Sequence, residues 1–471
     1  MYSIAMSKIS PSSLLPDRSI RIRPLVFPLY LFSKGCSLTL FFCLLIVLMQ
    51  ACGKEEDKTV EQEDQSNIPA FCDEDNTGLV LPKGFCAGVV ADSLGFIRHL
   101  AVRDNGDIYV AMRNNRLDLG GILALHDQDG DGKMDQIEKF SDIPGMGISI
   151  AGDNLYFASD TVIYRYSMQA DSLLPKQPPE VLVNDLPEQE LHAGKTFATD
   201  GINWIYVNIG ATSNACQVEE NEPGSPGQDP CPDLENHAGI WRFDLKQLNQ
   251  SRDSGYRYAS GIRNAYAIDW HPEFKGLYIV QHGRDRLFGL WPELYDESIS
   301  ARLPAEEFLR INEGENYSWP YCYYDPVMNK RVLAPEYGGD GTQTGQCDQY
   351  SDPLVAFPAH YSPNDLKFYP ASGLFPERYY NGAFIAFHGS YNRGDLKQVG
   401  YQVVFVPFKN GVPSGDWEIF IDGFAGTGEV TVPEDADYRP TGIAIGPDGS
   451  LYVADSVQGR IWRITYMGNG N

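Results

Sequence analysis

One phrase, written six times along the chain, limits what it can fold into more than any other feature. An alternating apolar stretch runs into a turn of Asp, Asn or Gly, then into an aromatic-rich stretch ending on a small residue. The copies occupy 99–111, 148–158, 196–208, 268–280, 366–386 and 443–454. Alternation of this kind marks half-buried strands, and Asp-Gly or Asn-Gly between them marks a hairpin. A second phrase, Gly followed by alternating apolar residues and Arg, comes after most copies, at 121–125, 162–165, 239–242, 400–404 and 459–463, with a weaker echo at 308–310. A unit of several antiparallel strands cannot bury both faces alone, and radial stacking leaves only short edges. The repeat therefore predicts an all-β, six-bladed β-propeller, with a two-sheet sandwich as the competing arrangement. Unequal spacing places long loop insertions after blades three, four and five, at 212–235, 284–306 and 323–358. Such lengths exceed plain connectors and predict a roof over one face.

The segment before the repeats reads as an address. Arg18, Arg21, Arg23 and Lys34 precede an apolar run, 38–49, that ends in Gln50-Ala51-Cys52-Gly53. That run is short for a membrane span and suits a signal peptide, and small residues around a Cys resemble a lipobox. The expected organisation is a lipoprotein signal peptide over 1–51, lipidation at Cys52, a disordered tether over 52–70 and the propeller over 71–471. The chain would then be exported and anchored by lipid at the outer membrane, cell surface or periplasmic face. Six cysteines remain after Cys52, in local couples: Cys72 with Cys86, Cys216 with Cys231, Cys322 with Cys347. An even number in an oxidising compartment predicts three disulfides. With 37 basic against 63 acidic side chains, nucleic acid is excluded as a partner, because it selects clustered Lys and Arg. A neutral substrate fits this charge better than an anionic one.

Several stretches carry a family likeness: His192-Ala-Gly-Lys-Thr-Phe197, Val207-Asn-Ile-Gly-Ala-Thr-Ser-Asn-Ala-Cys216, Gly261-Ile-Arg-Asn-Ala265 and Val280-Gln-His-Gly-Arg-Asp285. They continue with Asn316-Tyr-Ser-Trp-Pro-Tyr-Cys322, Phe357-Pro-Ala-His360, Phe387-His-Gly-Ser-Tyr-Asn-Arg393 and Tyr438-Arg-Pro-Thr-Gly442. In this order, over about 80–466, the chain resembles the glucose/sorbosone dehydrogenases, which use pyrroloquinoline quinone (PQQ) on a six-bladed propeller. The resemblance implies oxidation of a sugar C1 hydroxyl, or of a sorbosone-type aldehyde, by hydride transfer to the quinone. His192 would be the general base, since neutral imidazole suits proton removal near pH 7. Arg263 would polarise the quinone oxygen with Asn264 beside it. Arg98, His360, His388, Arg393 and Arg439 are the further cofactor-binding candidates, because a tricarboxylate needs cations and donors. Two positions depart from the soluble glucose enzymes: Ala211 stands where they have an Asp that orients the base, and Asn392 where they have Lys.

Calcium enters twice. The resemblance implies Ca²⁺ on the main-chain carbonyls of Gly283 and Arg284, beside the cofactor. Separately, Asp127, Asp129, Asp131, Lys133, Asp135 and Glu138 occupy the ligand positions of a D-x-D-x-D-G-x5-E calcium loop, with Gly132 at the bend. No Cys-x-x-Cys-His haem attachment is present, so electrons would pass to an external acceptor, a quinone or a cytochrome. Two other functions suit the same repeat: a non-catalytic propeller binding carbohydrate or a partner at the cell surface, and a calcium-dependent lactonase-type hydrolase.

Overall fold

The computed structural model describes residues 71–115 and 119–468, all within one compact unit, Gln65–Asn471. The expected signal peptide, Cys52 and the whole of the tether lie outside the described residues. Among the described residues, six sheets of four or five strands form the blades of a six-bladed β-propeller, antiparallel throughout except where Gln250–Ser251 joins the second blade in parallel. The innermost strands are Ile97–Val102, Gly145–Ala151, Phe197–Thr199, Ala267–His271, Pro363–Phe368 and Pro440–Ile445. They touch one another in chain order around the axis, and the first touches the sixth. Each copy of the repeated phrase is an inner strand, its hairpin and a second strand. The Gly-apolar-Arg phrase is the third strand, including the weak fourth copy, Glu306–Ile311.

Burial departs from the simple alternation expected. Second strands such as Ile108–Met112 and Gly276–Gln281 are buried at every residue. A blade interior is covered on both faces by its neighbours, so both sides of its middle strands favour apolar side chains. Alternation survives toward the rim, where Gln136–Ser141 switches between half-buried and exposed.

The ring is closed by a strand from before the first repeat. Phe85–Ala91 adds to the outer edge of the sixth blade, pairing Phe85 with Tyr466 and Cys86 with Thr465. Phe85 drives this pairing by packing edge-on against Phe375 and Phe420, at 4.8 and 5.0 Å between ring centroids. Trp462 is fully buried next to it and donates its indole N–H to Thr77 Oγ1 at 2.8 Å. Burying an aromatic side chain of this size contributes about 2–3 kcal/mol.

The cysteines pair as the sequence predicts: Cys72–Cys86, Cys216–Cys231 and Cys322–Cys347. The insertions are distributed differently. Residues 212–235 lie within blade three, between Trp204–Ile209 and Gly239–Asp244, and both 284–306 and 323–358 belong to blade four. The fourth strand of that blade, Val355–Phe357, is short and has no repeat signature, which is why the last insertion reads as following a later blade. Its 3₁₀ turn folds back over the earlier one, where the Glu336 carboxylate pairs with Arg284 and accepts the Trp291 indole N–H at 2.8 Å.

Candidate active site

Inner strands begin, and second strands end, at the same end of the ring. The side chains delivered there surround a cavity of about 290 Å³. Blade one contributes Arg98; the segment entering blade three contributes His192; the segment entering blade four contributes Arg263, Asn264 and Tyr266. The second strand of blade four leads into His282, Gly283 and Asp285, with Glu306 from its third strand. Blade five supplies His360, Ser362 and Asn364 on its way in, then His388, Tyr391 and Asn392 beyond its second strand.

His192 has a left-handed backbone, φ 55°, a conformation costly for a residue with a β-carbon. Its Nδ1 lies 2.8 Å from the Ala211 carbonyl oxygen. A carbonyl only accepts, so Nδ1 carries the hydrogen and Nε2 keeps the lone pair. Burial, reinforced by the Arg263 charge, holds the imidazole well below its ordinary pKa, and the ring is a neutral proton acceptor at pH 7. The orienting group is thus a main-chain oxygen rather than a carboxylate. The Ala211 side chain is not available for that task, being packed among Cys216, Cys231, Ala238 and Trp319. Its peptide is tied at both ends, since the Ala211 N–H donates to the Arg263 carbonyl at 2.7 Å. Gly210 makes the approach possible: a β-carbon there would lie 2.7 Å from His192 Cβ and 2.9 Å from Asn264 Oδ1.

Arg263 is held in a fixed plane. Nε and Nη2 donate to the Asn214 carbonyl and side-chain oxygens at 3.1 and 3.0 Å, and Nη1 to the Gly283 carbonyl at 3.0 Å. Nη2 also reaches Asp285 Oδ2 at 3.1 Å. Arg98 is less satisfied. Its Nη2 donates to Asn364 Oδ1 at 2.9 Å, but its buried Nε has no partner. Burial, with Arg113 and Arg439 adding repulsion, lowers this guanidinium to about 10. It remains charged at neutral pH and is short of acceptors.

His360 donates from Nε2 to the Ser300 carbonyl at 2.9 Å, while Nδ1 faces Asp285 Oδ1 at 3.3 Å. Both partners only accept, which makes the ring an imidazolium. Burial opposes this charge, but Asp285 outweighs it and raises the His360 pKa. In return, and against its own burial, Asp285 is held well below the carboxylate range by His360 and Arg263. Glu306 behaves oppositely. Burial pushes its carboxyl up to about 7, although it accepts the Gly283 and Ser362 N–H groups at 2.8 and 3.2 Å. His282 is lowered to about 4, first by burial and then by Arg263. His388 lies well below its ordinary value for the same first reason, with Arg439 next, and bonds Ser456 Oγ at 2.7 Å.

Of the residues singled out from sequence, His192, Arg263, Asn264, Arg98, His360, His388 and Gly283 meet at this one cavity. Arg439 stands behind its wall, donating to the His388 and Gly389 carbonyls at 3.0 Å each; the turn it braces separates it from the cavity. Arg393 faces away, lining a neighbouring pocket with Arg286 and Ser300 and donating to the Ala301 carbonyl at 3.1 Å. Asn392 lies between the two pockets and lines both, whereas Arg393 does not line the central cavity.

The Gly283 carbonyl already accepts from Arg263, and the Arg284 side chain is buried against Glu336. In the acidic loop, only Asp127, Asp129 and Asp135 converge, with carboxylate oxygens within 4.8 Å of one another. Asp131 instead accepts the Lys133 N–H at 2.8 Å, and Glu138 takes a hydrogen bond from Gln136. A strand begins at Gln136, and its extended rise carries Glu138 off, where a helix would bring it back over the loop.

Tyr266, Asp285, Glu306, Asn364 and Tyr391 line the cavity without having been singled out. Their common signal is position: each lies within a few residues of an inner-strand start or a second-strand end, or begins a third strand. A register count on the repeats finds them, whereas residue type does not.

Residues 79–467 match the family described as TrAA12-like. The chain is 24% identical over 306 residues to an uncharacterized protein of Borreliella burgdorferi, covering 64% of this chain and 65%, just under two thirds, of that relative. It is 21% identical over 475 residues to a pyrroloquinoline quinone-dependent sugar dehydrogenase of Hypocrea jecorina, covering 92% of this chain and 98% of the relative. Among solved structures, it is similar to the Trichoderma reesei family AA12 carbohydrate-active enzyme (TM-score 0.65, 20% identity, 83% of this chain and 98% of the other). It is also similar to the PQQ domain of pyranose dehydrogenase from Coprinopsis cinerea (TM-score 0.64, 18% identity, 82% and 97%). At these identities the structural likeness speaks for the propeller fold. The family match spans nearly all of the described residues, and the chain belongs to the TrAA12-like family.

Proposed function

We propose that this chain is a quinoprotein sugar dehydrogenase that oxidises the C1 hydroxyl of an aldose, or a related sorbosone-type aldehyde. One observation carries the reading. A neutral imidazole with its lone pair on Nε2 shares a cavity with two buried guanidiniums, one of them short of a hydrogen-bond acceptor. PQQ bears three carboxylates and a planar quinone. The orphaned Arg98 Nε, the His360 imidazolium and Arg263 are the donors such a group requires, and Asn264 lies beside them. When bound, PQQ supplies an electrophilic carbonyl that accepts two electrons and a hydrogen as hydride.

The chain's own residues supply the rest. His192 Nε2 takes the C1 hydroxyl proton as the C1–H bond gives up its hydrogen with both electrons, and the aldose leaves as the lactone. Arg263, fixed by Asn214 and Asp285, offers stationary positive charge for developing oxyanion character. Ca²⁺ is assigned with the cofactor at the Gly283 and Arg284 main chain, since carbonyl oxygens suit a hard cation; it would share the Gly283 oxygen with Arg263. Two electrons then pass to an external quinone or cytochrome. The three disulfides support export, and with it lipid anchoring at Cys52.

The test is to load purified protein with PQQ and Ca²⁺ and follow dye reduction with a panel of aldoses. Turnover dependent on the quinone is expected. Absence of both cofactor binding and turnover would favour a carbohydrate-binding propeller instead.

A further inference from the structure

His192 depends on a single peptide oxygen for its orientation, and that oxygen belongs to a crowded group. The side-chain amide of Gln189 lies in the middle of it. Gln189 Nε2 is 2.8 Å from the Leu191 carbonyl, 3.0 Å from that of Gly210, 3.3 Å from that of His192 and 3.4 Å from that of Ala211. Its direction is fixed from below, because Gln189 Oε1 faces Lys195 Nζ at 3.4 Å and an ammonium only donates. Lys195 is fully buried, and the same Nζ donates to the Ala193 carbonyl at 2.8 Å.

Four carbonyl dipoles from two chain segments therefore converge on one NH₂ group. One segment carries His192 in its left-handed conformation; the other ends a second strand and carries the acceptor for His192 Nδ1. Without a donor at the centre the dipoles repel, and the part-buried oxygens of His192, Gly210 and Ala211 lose a hydrogen-bond donor. The first movement that relieves them separates His192 from Ala211. A sterically minor change at Gln189 thus acts on which ring nitrogen of His192 holds the hydrogen.

We propose that Gln189, propped by Lys195, is the positioning residue of the site: it fixes the His192 tautomer by clamping residues 191–193 to the peptides of Gly210 and Ala211. Its catalytic consequence rests on the reading of His192 as the base; the tautomer itself does not.

The experiment separates the two. In protein labelled with ¹⁵N-histidine, long-range ¹H–¹⁵N spectra report the tautomer without cofactor or turnover, and the His192 signal is assigned by its loss in His192→Ala. Wild type is expected to show only the Nδ1–H form. Gln189→Glu keeps the shape and the Lys195 contact but offers no N–H, and Gln189→Leu removes both. Each is expected to populate the Nε2–H form and, in the PQQ-loaded enzyme, to lower kcat about 10- to 100-fold with KM within about threefold. If Gln189→Leu fails to fold, Gln189→Glu with an unchanged melting temperature decides. A wild-type tautomer in the folded variants would overturn the proposal. A changed tautomer with unchanged turnover would uphold the clamp and remove His192 as the base. A wild-type protein inactive on every sugar would count against the dehydrogenase reading alone, the tautomer still deciding the clamp.

Discussion

The site's chemistry turns on which groups carry charge inside a buried cavity. His192 is kept neutral by burial and by the Arg263 charge, whereas at His360 burial is outweighed by the Asp285 carboxylate, which favours the charged ring. His192→Ala should abolish turnover while leaving PQQ affinity within a few-fold, measured by titrating the cofactor absorbance. Ala211→Asp, which inserts the carboxylate of the soluble glucose enzymes, should not strengthen the base. Its side chain would enter the apolar cluster around Cys216–Cys231, lowering stability by about 2–3 kcal/mol in urea melts. Glu306 gives a pH signature of definite sign. Its folded pKa of about 7 lies above its ordinary 4.5, so its stability contribution is complete below pH 4.5 and is lost as pH rises through 7. The swing is about 3 kcal/mol, and Glu306→Gln should flatten it. His192 and Arg263 were legible in the sequence because motif residues surround them. Gln189, Glu306 and the role of the Ala211 carbonyl were not, since a main-chain acceptor leaves no trace in residue type.

At the scale of elements, the repeated phrases located nearly every inner, second and third strand, because blade-to-blade packing imposes the same apolar demand six times. Two features escaped. The closing strand Phe85–Ala91 precedes the first copy, and its pairing with Ile461–Tyr466 is fixed only by the ring. The calcium-type loop matched its pattern at every position, yet a strand follows it and Glu138 departs; a ligand pattern predicts convergence only with the element that returns its last residue. Closure should dominate stability. Trp462→Ala removes a fully buried indole from the closing sheet and is expected to cost about 3–5 kcal/mol, read from denaturant unfolding. An equivalent loss at an outer-strand residue such as Ile137, which is 45% exposed, should cost under about 1 kcal/mol.

Taken whole, the described residues form a ring that brings strand ends from four blades to one opening, on a chain with formal charge −26. That charge bears on electron transfer rather than on fold. Reduction of a cationic acceptor should slow as ionic strength rises, and reduction of an anionic one such as ferricyanide should quicken, which stopped-flow mixing resolves. The central claim is that a sugar loses its C1 hydrogen in this cavity with His192 taking the hydroxyl proton. Its most direct measurement is the single-turnover rate of cofactor reduction when PQQ-loaded protein meets an aldose carrying deuterium at C1. The account predicts reduction several-fold slower than with the protiated sugar, and none in His192→Ala. Reduction at the same rate for both sugars, or undiminished in His192→Ala, would contradict it.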